Sequence, residues 1–160
     1  MVYTVGVADL KISGDVPDVL ITYALGSCLG ITVYDIRLKR AGLLHCMLPD
    51  SSIDRDKATV NPCLYVDSGI KILLNDFYQS GSRKNSLIIR AAGGSSSKVN
   101  DEEDFFQIGR RNFVSLRKCL WNEGLMLKAY DVGGYGPRTV TMEVETGKML
   151  IKYKGSLKQL

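Results

Sequence analysis

The sequence predicts an α/β fold, a layered sandwich in which two main helices pack on mixed, mostly antiparallel β-sheet. About eight segments alternate in polarity or are rich in β-branched and aromatic residues, as strands are. Only two segments repeat apolar residues at the spacings of three and four that indicate an amphipathic helix. Strands and helices follow one another in mixed order without a linker, so we expect one domain over residues 1–160.

The first half of the chain contains four of the predicted strands. Apolar and β-branched residues predict them at residues 2–12, 19–24, 29–34 and 41–48. Gly26 and Ser27 interrupt the pattern before the third strand, and Pro49 ends the fourth. Cys28 is therefore expected where a turn meets a strand, and His45 within a strand or near its end.

Two segments predict helices, because their apolar residues recur every three or four positions. The first covers about residues 61–79 and is expected to stop at Gly81. The second covers about residues 110–122, and Gly124 suits the left-handed position past its end. Each helix should bury one apolar face against the sheet.

The remaining predicted strands lie at residues 86–92, 125–131, 138–144 and 149–154, and the last two form a hairpin. Gly93 to Ser97 lacks the pattern of a phosphate-binding loop and predicts a mobile surface loop. The acidic run at residues 101–104 lacks the ligand spacing of a calcium loop and predicts a solvated segment.

Composition and charge argue against several classes of protein. Lys and Arg outnumber Asp and Glu by 21 to 17, and a net charge of +4 is too small to indicate nucleic-acid binding. The four cysteines show no CxxC spacing, which argues against a zinc ribbon and favours reduced thiols in a cytoplasm. No signal-peptide pattern and no run of about 18 apolar residues occurs. We therefore expect a cytoplasmic protein that is not inserted in a membrane.

The candidate chemistry depends on the single histidine, His45. A hydrolase without a metal needs a nucleophile, a base and donors for an oxyanion. Cys46 is adjacent in an extended segment and should point to the opposite face, while Cys63 and Cys119 fall in or beside helical patterns. Cys28 follows Gly26 and Ser27, whose turn lets the backbone approach a substrate and supplies N–H donors. Elimination thus selects Cys28 as nucleophile and His45 as base.

Residue types alone leave a structural interpretation open for this pair. Free cysteine is among the most buried residue types, so Cys28 also fits a small thiol in a core or turn. A lone histidine in an apolar segment such as that of His45 is equally compatible with a buried structural role. The residues by themselves therefore supply a candidate pair.

Several short motifs are spread along the chain. They are Leu25–Cys28 (LGSC), His45 leading into Met47–Pro49, Gly93–Gly94, Ile108–Asn112 (IGRRN), Gly133–Gly134 with Gly136 and Arg138, and Glu145–Gly147. In their order and separation these blocks resemble the CheD family of chemoreceptor glutamine deamidases along nearly the whole chain. Leu44 and Cys46 depart from the family, which commonly has Asn and an aromatic residue at these positions.

The resemblance implies a fold similar to that of the deamidating cytotoxic necrotizing factor toxins and an activity on glutamine side chains of bacterial chemoreceptors. It implies that Cys28 is the nucleophile, His45 the base and Thr22 the third member, whose oxygen accepts the second imidazole N–H. The alternative for Thr22 is a purely structural role, as a β-branched residue that packs within a strand. No cofactor and no metal is implied.

The resemblance also implies a CheC-type phosphatase as a partner, beside the chemoreceptors. The chain could accordingly be a binding module for that phosphatase with little catalysis. A thiol hydrolase acting on receptor methyl esters is the other alternative, because the same nucleophile and base would serve it.

Overall fold

A computed structural model describes all residues, 1–160, as two five-stranded sheets packed face to face, with helices on the outer face of one sheet. The predicted α/β layered sandwich is confirmed. The strands are β1 Val2–Thr4, β2 Asp9–Ser13, β3 Val19–Leu25, β4 Leu29–Asp35, β5 Arg40–Cys46, β6 Leu87–Gly93, β7 Ala129–Val132, β8 Arg138–Glu143, β9 Met149–Tyr153 and β10 Ser156–Gln159. The helices are α1 Arg55–Val60, α2 Val66–Gln79 and α3 Ile108–Asn122.

The two sheets are mixed, and most of their strand pairs are antiparallel. The first sheet has the order β1-β3-β8-β9-β10, and the second has the order β2-β5-β4-β6-β7. Only β1 with β3 and β6 with β7 are parallel. β4 is the central strand of the second sheet and is buried along its whole length, so it contributes to the core on both faces.

Two hydrophobic clusters separate the layers. One lies between the second sheet and the helices, where Leu44 and Ile31 pack against α2 and α3 side chains such as Ile70 and Leu116. The other lies between the two sheets and contains Leu43. Because neighbouring strand residues point to opposite faces, Leu43 and Leu44 contribute to different clusters. None of the helices is long and apolar enough to cross a membrane.

Both predicted helices are present, with different starting points. α2 begins at Val66 instead of residue 61, because a separate 3-10 turn at Pro62–Leu64 and an extended Tyr65 precede it. Proline fixes its own φ and restricts the residue before it, so the chain bends there before the longer helix begins. α3 begins at Ile108, two residues before the predicted start.

The single strand predicted at residues 2–12 is wrong, because the chain changes sheets within it. β1 pairs with β3 in the first sheet, and β2 pairs with β5 in the second. Between them Ala8 adopts a φ of 60° and donates its N–H to the His45 carbonyl. Alternation of polarity reports which face is buried and does not identify the sheet. β10 was also not predicted, since all of its residues are exposed.

The prediction of a mobile surface loop at Gly93 to Ser97 is wrong for the first half of this segment. Gly93 ends β6, and the Ser95 side chain is fully buried. Arg138 of the first sheet donates to the Gly93 carbonyl at 3.2 Å and to Ser95 Oγ at 2.8 Å. A long-range side chain fixes a glycine-rich segment whose own composition favours flexibility.

Candidate active site

Cys28 and His45 lie on neighbouring strands of the second sheet. Cys28 immediately precedes β4, and His45 in β5 is registered opposite Gly30. Residues two apart on a strand share a face, so Cys28 and Gly30 both face the first sheet, as His45 does. The Cys28 side chain packs against the cluster between the sheets. The register therefore places Cys28 and His45 as diagonal neighbours on one face, a relation in which Cα atoms lie roughly 7–8 Å apart.

Thr22 reaches the same position from the first sheet. Its Oγ1 atom lies 2.8 Å from His45 Nδ1 and 2.7 Å from the Val5 carbonyl oxygen, to which it donates. A threonine hydroxyl has one proton. Because this proton is used in the hydrogen bond to the Val5 carbonyl, the Thr22 oxygen must accept a hydrogen bond from His45 Nδ1–H. The proton on Nδ1 leaves Nε2 with a free lone pair.

The unprotonated nitrogen is the one that could act as a base. His45 is 2% exposed, and its Nε2 atom is buried without any hydrogen-bond partner. Burial lowers the pKa of His45 below its ordinary value of 6.5, since it disfavours the charged imidazolium. Nε2 is therefore a neutral proton acceptor facing the space between the sheets.

The thiol is also uncharged at rest. Cys28 is half-buried, and this burial raises its pKa above the ordinary value of 9.0, while a bond from its own backbone N–H partly opposes the rise. A raised thiol pKa beside a lowered imidazole pKa favours the neutral thiol and imidazole over an ion pair. The two side chains form no hydrogen bond in this structure, and catalytic hydrogen bonds are often long before substrate binds.

The turn that carries Cys28 contains two N–H groups without an acceptor elsewhere in the protein. Gly26 N–H donates to the Ala24 carbonyl, and Ala24 has a φ of 57°. The Ser27 N–H has no acceptor, and the Cys28 N–H bonds only to its own thiol. Adjacent donors of this kind beside a nucleophile suit a developing oxyanion. The sequence predicted that N–H groups of the Gly26–Ser27 turn could bind an oxyanion. The Gly26 N–H is already bonded to Ala24, so the candidate donors are the N–H groups of Ser27 and Cys28.

The three carbonyl groups of the same turn are all bound. Ser95 N–H donates to the Gly26 carbonyl at 2.8 Å, and Gly94 N–H donates to the Cys28 carbonyl at 2.9 Å. The Ser27 carbonyl accepts from Asn112 Nδ2 at 2.9 Å. All three carbonyls of the turn are thus occupied, whereas the Ser27 and Cys28 N–H groups have no acceptor elsewhere in the protein.

Close packing around this turn requires glycine at two positions. A Cβ atom on Gly93 would lie 2.3 Å from the Cys28 carbonyl oxygen, and one on Gly109 would lie 2.3 Å from the Ser95 carbonyl oxygen. Real Cβ atoms do not approach oxygen so closely. The first turn of α3 can therefore contact the segment that supports Cys28.

The departures from the family on either side of His45 lie away from the site. Leu44 and Cys46 alternate with His45 along β5, and both pack in the cluster under the helices. Cys46 is fully buried, which raises its pKa well above 9.0. Neither residue contacts the face on which Thr22 and His45 meet.

Sequence reasoning missed Asn112 and Arg138 as site residues. Both belong to blocks that carry the resemblance, but neither block was given a role. Their partners are backbone carbonyls distant in sequence, so no local pattern reveals them. The structure joins Thr22 to His45 by a hydrogen bond, and the strand register assigns Cys28 to the same face. Asn112 and Arg138 are two further side chains that support the Cys28 turn.

A surface groove lies beside the site and does not contain the three candidate residues. It has a volume of about 560 Å³ and is lined by the loops that follow β6 and β7, with Phe113 of α3. Gly94 connects it to the Cys28 turn through the hydrogen bond described above. No group of three or more His, Cys, Asp and Glu side chains is arranged to hold a metal ion.

Comparison with known proteins identifies relatives along the whole chain. The family model described as CheD chemotactic sensory transduction matches residues 47–153. A protein of Syntrophus aciditrophicus named "Probable chemoreceptor glutamine deamidase CheD 1" is 42% identical over 94% of this chain and 93% of its own. A protein of Solibacter usitatus named "Probable chemoreceptor glutamine deamidase CheD" is 42% identical over 98% and 91%, respectively.

A relative of lower identity is matched over a similar share of both chains. A protein of Pyrococcus abyssi with the name "Probable chemoreceptor glutamine deamidase CheD" is 37% identical over 92% of this chain and 89% of its own. The family-model match begins at residue 47, after Thr22, Cys28 and His45, while the relatives match over nearly the whole chain. With a match over more than half its length and relatives of this identity, the chain belongs to the CheD family.

Proposed function

We propose that this chain is a protein-glutamine glutaminase that hydrolyses glutamine side-chain amides of chemoreceptors to glutamate. The observation that carries the proposal is a chain of two hydrogen bonds, from His45 Nδ1–H to Thr22 and from Thr22 to the Val5 carbonyl. It leaves His45 Nε2 without a partner, on the face of the sheet that also holds Cys28. The substrate class follows from the names of the relatives. Cys28 is the nucleophile, His45 the base, and Thr22 fixes the tautomer of the imidazole.

The first half-reaction forms a thioester. His45 Nε2 takes the proton of the Cys28 thiol as the sulfur attacks the carboxamide carbon of the glutamine. The negative charge on the amide oxygen is bound by the backbone N–H groups of Ser27 and Cys28. The imidazolium then returns the proton to the nitrogen, and ammonia leaves as the C–N bond breaks.

The second half-reaction releases the product. His45 Nε2 removes a proton from water, which attacks the thioester carbon, and the C–S bond breaks with return of the proton to Cys28. A glutamate replaces the glutamine. The new negative charge changes the electrostatics of the receptor, by the same rules that govern other charge-changing modifications.

The proposal also covers domain organisation and compartment. Residues on β3, β4, β5 and α3 all contribute to the site, so we regard 1–160 as one catalytic domain. The nucleophile must be a free thiol, and all four cysteines are free. A reducing cytoplasm keeps such thiols active, and it is the compartment we propose.

Incubation with cytoplasmic fragments of chemoreceptors tests the activity. Mass spectrometry of receptor peptides should show conversion of specific glutamines to glutamate. Cys28→Ala should abolish the conversion and retain the fold, whereas Cys63→Ala, which removes another half-buried thiol, should retain activity. Unmodified glutamines in every cognate receptor, or full activity of Cys28→Ala, would contradict the proposal.

A partner-binding role is a second candidate, favoured by an exposed aromatic pair. Phe105 and Phe106 are 87% and 67% exposed, and their rings contact each other edge to face. Clustered exposed aromatic residues are typical of protein-binding surfaces. The CheC-type phosphatase implied by the resemblance is the partner we propose for them. Phe105→Ser with Phe106→Ser should reduce its capture in a pull-down, while Cys28→Ala should bind like the wild type.

A further inference from the structure

Asn112 is a fully buried amide in α3 that no step of the proposed reaction uses. Its Nδ2 atom donates to the Ser27 carbonyl at 2.9 Å and to the Met47 carbonyl at 3.0 Å. Both partners are acceptors, so the atom that faces them must be the nitrogen. The Oδ1 atom is buried without a partner, and the orientation of the side chain is therefore set by its two donated bonds.

The two carbonyls belong to the two segments that carry the candidate catalytic pair. Ser27 directly precedes Cys28, and Met47 follows His45 by two residues. The ladder between β4 and β5 ends at the pair Leu29 and Cys46. The Asn112 amide joins the strands immediately beyond this last pair, where no backbone bond joins them directly.

Asn112 is also the only hydrogen-bond donor to the Ser27 carbonyl. The neighbouring carbonyls of Gly26 and Cys28 are held by backbone N–H groups of the segment after β6. That segment directly follows β6. Beyond the ladder pair Leu29 and Cys46, the Asn112 amide is the hydrogen-bonded link between the turn and the strand that carries His45.

The helix that supplies Asn112 is itself held in place. Gly109 contacts Gly94 and Ser95 so closely that no side chain fits there. The amide thus projects from a rigid element, which is what a precise catalytic geometry requires.

We propose that Asn112 is a positioning residue that fixes the Cys28 turn against the His45 strand at the separation needed for proton transfer. The inference rests on the proposed function, because it assigns a role to Asn112 only through the Cys28 and His45 pair. Loss of the amide leaves the Ser27 and Met47 carbonyls without their donor and removes the link between the two segments, which can then separate or rotate. Small displacements of this kind are costly for a proton transfer that depends on distance.

Thiol alkylation measures the pairing without any receptor substrate. The rate of Cys28 modification by iodoacetamide is followed by peptide mass spectrometry at neutral pH. In the wild type, His45→Ala should lower this rate by about tenfold, because the base that assists thiol ionisation is lost. In an Asn112→Leu background, the same His45→Ala change should lower it by less than about twofold, since the pair is already uncoupled.

Ser115→Ala is the matched control. It removes a hydrogen bond from the same helix to the same segment after His45 and does not contact the Cys28 turn, so the His45→Ala effect should remain about tenfold in this background. Asn112→Ser, a smaller polar change, gives a second variant if Asn112→Leu fails to fold, and it should also reduce the His45→Ala effect. In a deamidation assay Asn112→Leu should lower kcat and leave KM within about twofold.

The outcomes separate the two proposals. A His45→Ala effect that is equally large in the wild-type, Asn112→Leu and Asn112→Ser backgrounds overturns the positioning role and leaves the deamidase proposal intact. Absence of any His45→Ala effect in the wild type overturns the pairing on which both depend. Intact coupling without receptor deamidation overturns the proposed substrate alone.

Discussion

Thr22 Oγ1 and His45 Nδ1 are 2.8 Å apart, and they belong to different sheets. The Thr22 proton is donated to the Val5 carbonyl, so the imidazole is the donor in this contact. One hydroxyl therefore determines which nitrogen of the only histidine is free to act as a base. The contact also joins the two sheets, and the Cys28 side chain packs against the hydrophobic cluster between them.

Removing the Thr22 hydroxyl should reduce catalysis more than binding. Thr22→Val preserves the shape and leaves His45 Nδ1 without its acceptor, which favours other tautomers and ring positions. We expect kcat to fall roughly 10- to 100-fold, a part of the 10²–10⁴-fold that a general base contributes. The buried unpaired N–H should also lower the free energy of unfolding by about 1–3 kcal/mol. Steady-state kinetics and denaturant titration test both values.

Thr22→Ser is the control for this prediction, because it keeps the oxygen and its proton. It should retain activity within a few-fold of the wild type. Equal loss of kcat in Thr22→Ser and Thr22→Val would show that the methyl group, and not the hydrogen bond, is what matters.

The pH dependence of kcat/KM should have two limits. His45 must be neutral to accept a proton, and burial lowers its pKa, so activity should fall with acid only below pH 6.5. Cys28 must carry the proton that later reaches ammonia, and burial raises its pKa, so activity should fall with base only above pH 9.0. A profile of kcat/KM against pH measures both limits. Ultraviolet absorbance of a Cys28-dependent thiolate at neutral pH would contradict the neutral resting pair.

Gly93→Ala should be much more damaging than an alanine at another glycine of the same conformation. Gly93 has a φ of 109°, and its added Cβ would lie 2.3 Å from the Cys28 carbonyl oxygen. Gly81 has a φ of 95°, but nothing lies within 4 Å of its Cβ position. Gly81→Ala should cost about 1–3 kcal/mol of backbone strain, while Gly93→Ala should cost more than about 4 kcal/mol. Denaturant titration of both variants measures the difference, and similar losses would refute a steric role for Gly93.

Arg138 should contribute strongly to stability, in contrast to a lysine that shares its partner. Arg138 is 3% exposed, its guanidinium lies 4.0 Å from the centre of the Tyr153 ring, and its Nε is 3.5 Å from Asp131 Oδ2. Lys158 Nζ is 3.6 Å from the same oxygen, but its side chain is 56% exposed. Arg138→Met should lower the free energy of unfolding by about 3–5 kcal/mol.

Lys158→Met is the control for the Arg138 prediction and should change stability by at most about 1 kcal/mol. Chemical denaturation of the two variants decides between them. Arg138→Met should also lower deamidation, because its bonds to Gly93 and Ser95 support the Cys28 turn. If Arg138→Met is as stable and as active as Lys158→Met, Arg138 does not support the Cys28 turn.

The layered architecture was accessible from the sequence because periodicity reports burial directly. Apolar positions such as Ile70 and Leu73 recur at helical spacing and are buried in α2. Alternation along β8 likewise matches its buried and half-buried residues. The split of residues 2–12 between two sheets was not accessible, since a half-buried strand has the same pattern in either sheet. β10 carries no burial pattern because it is an exposed edge strand.

The sequence alone determined which side chains could perform the chemistry. A single histidine restricts the base to His45, and the glycine and serine before Cys28 distinguish it from the other three thiols. Strand parity also placed Cys46 on the face opposite His45, where the structure has it. These conclusions are local, because they depend on residue type and on the two-residue repeat of an extended chain.

Only the tertiary structure decided how these side chains are oriented and supported. Thr22 meets His45 because β3 packs across β5 from the other sheet, and Asn112 reaches the Cys28 turn from α3, 85 residues along the chain. Such contacts depend on sheet packing and helix placement, which no local pattern encodes. Hydrogen bonds between segments far apart in sequence form only after the layers assemble. They fix the orientation of the His45 ring and of the turn that carries Cys28.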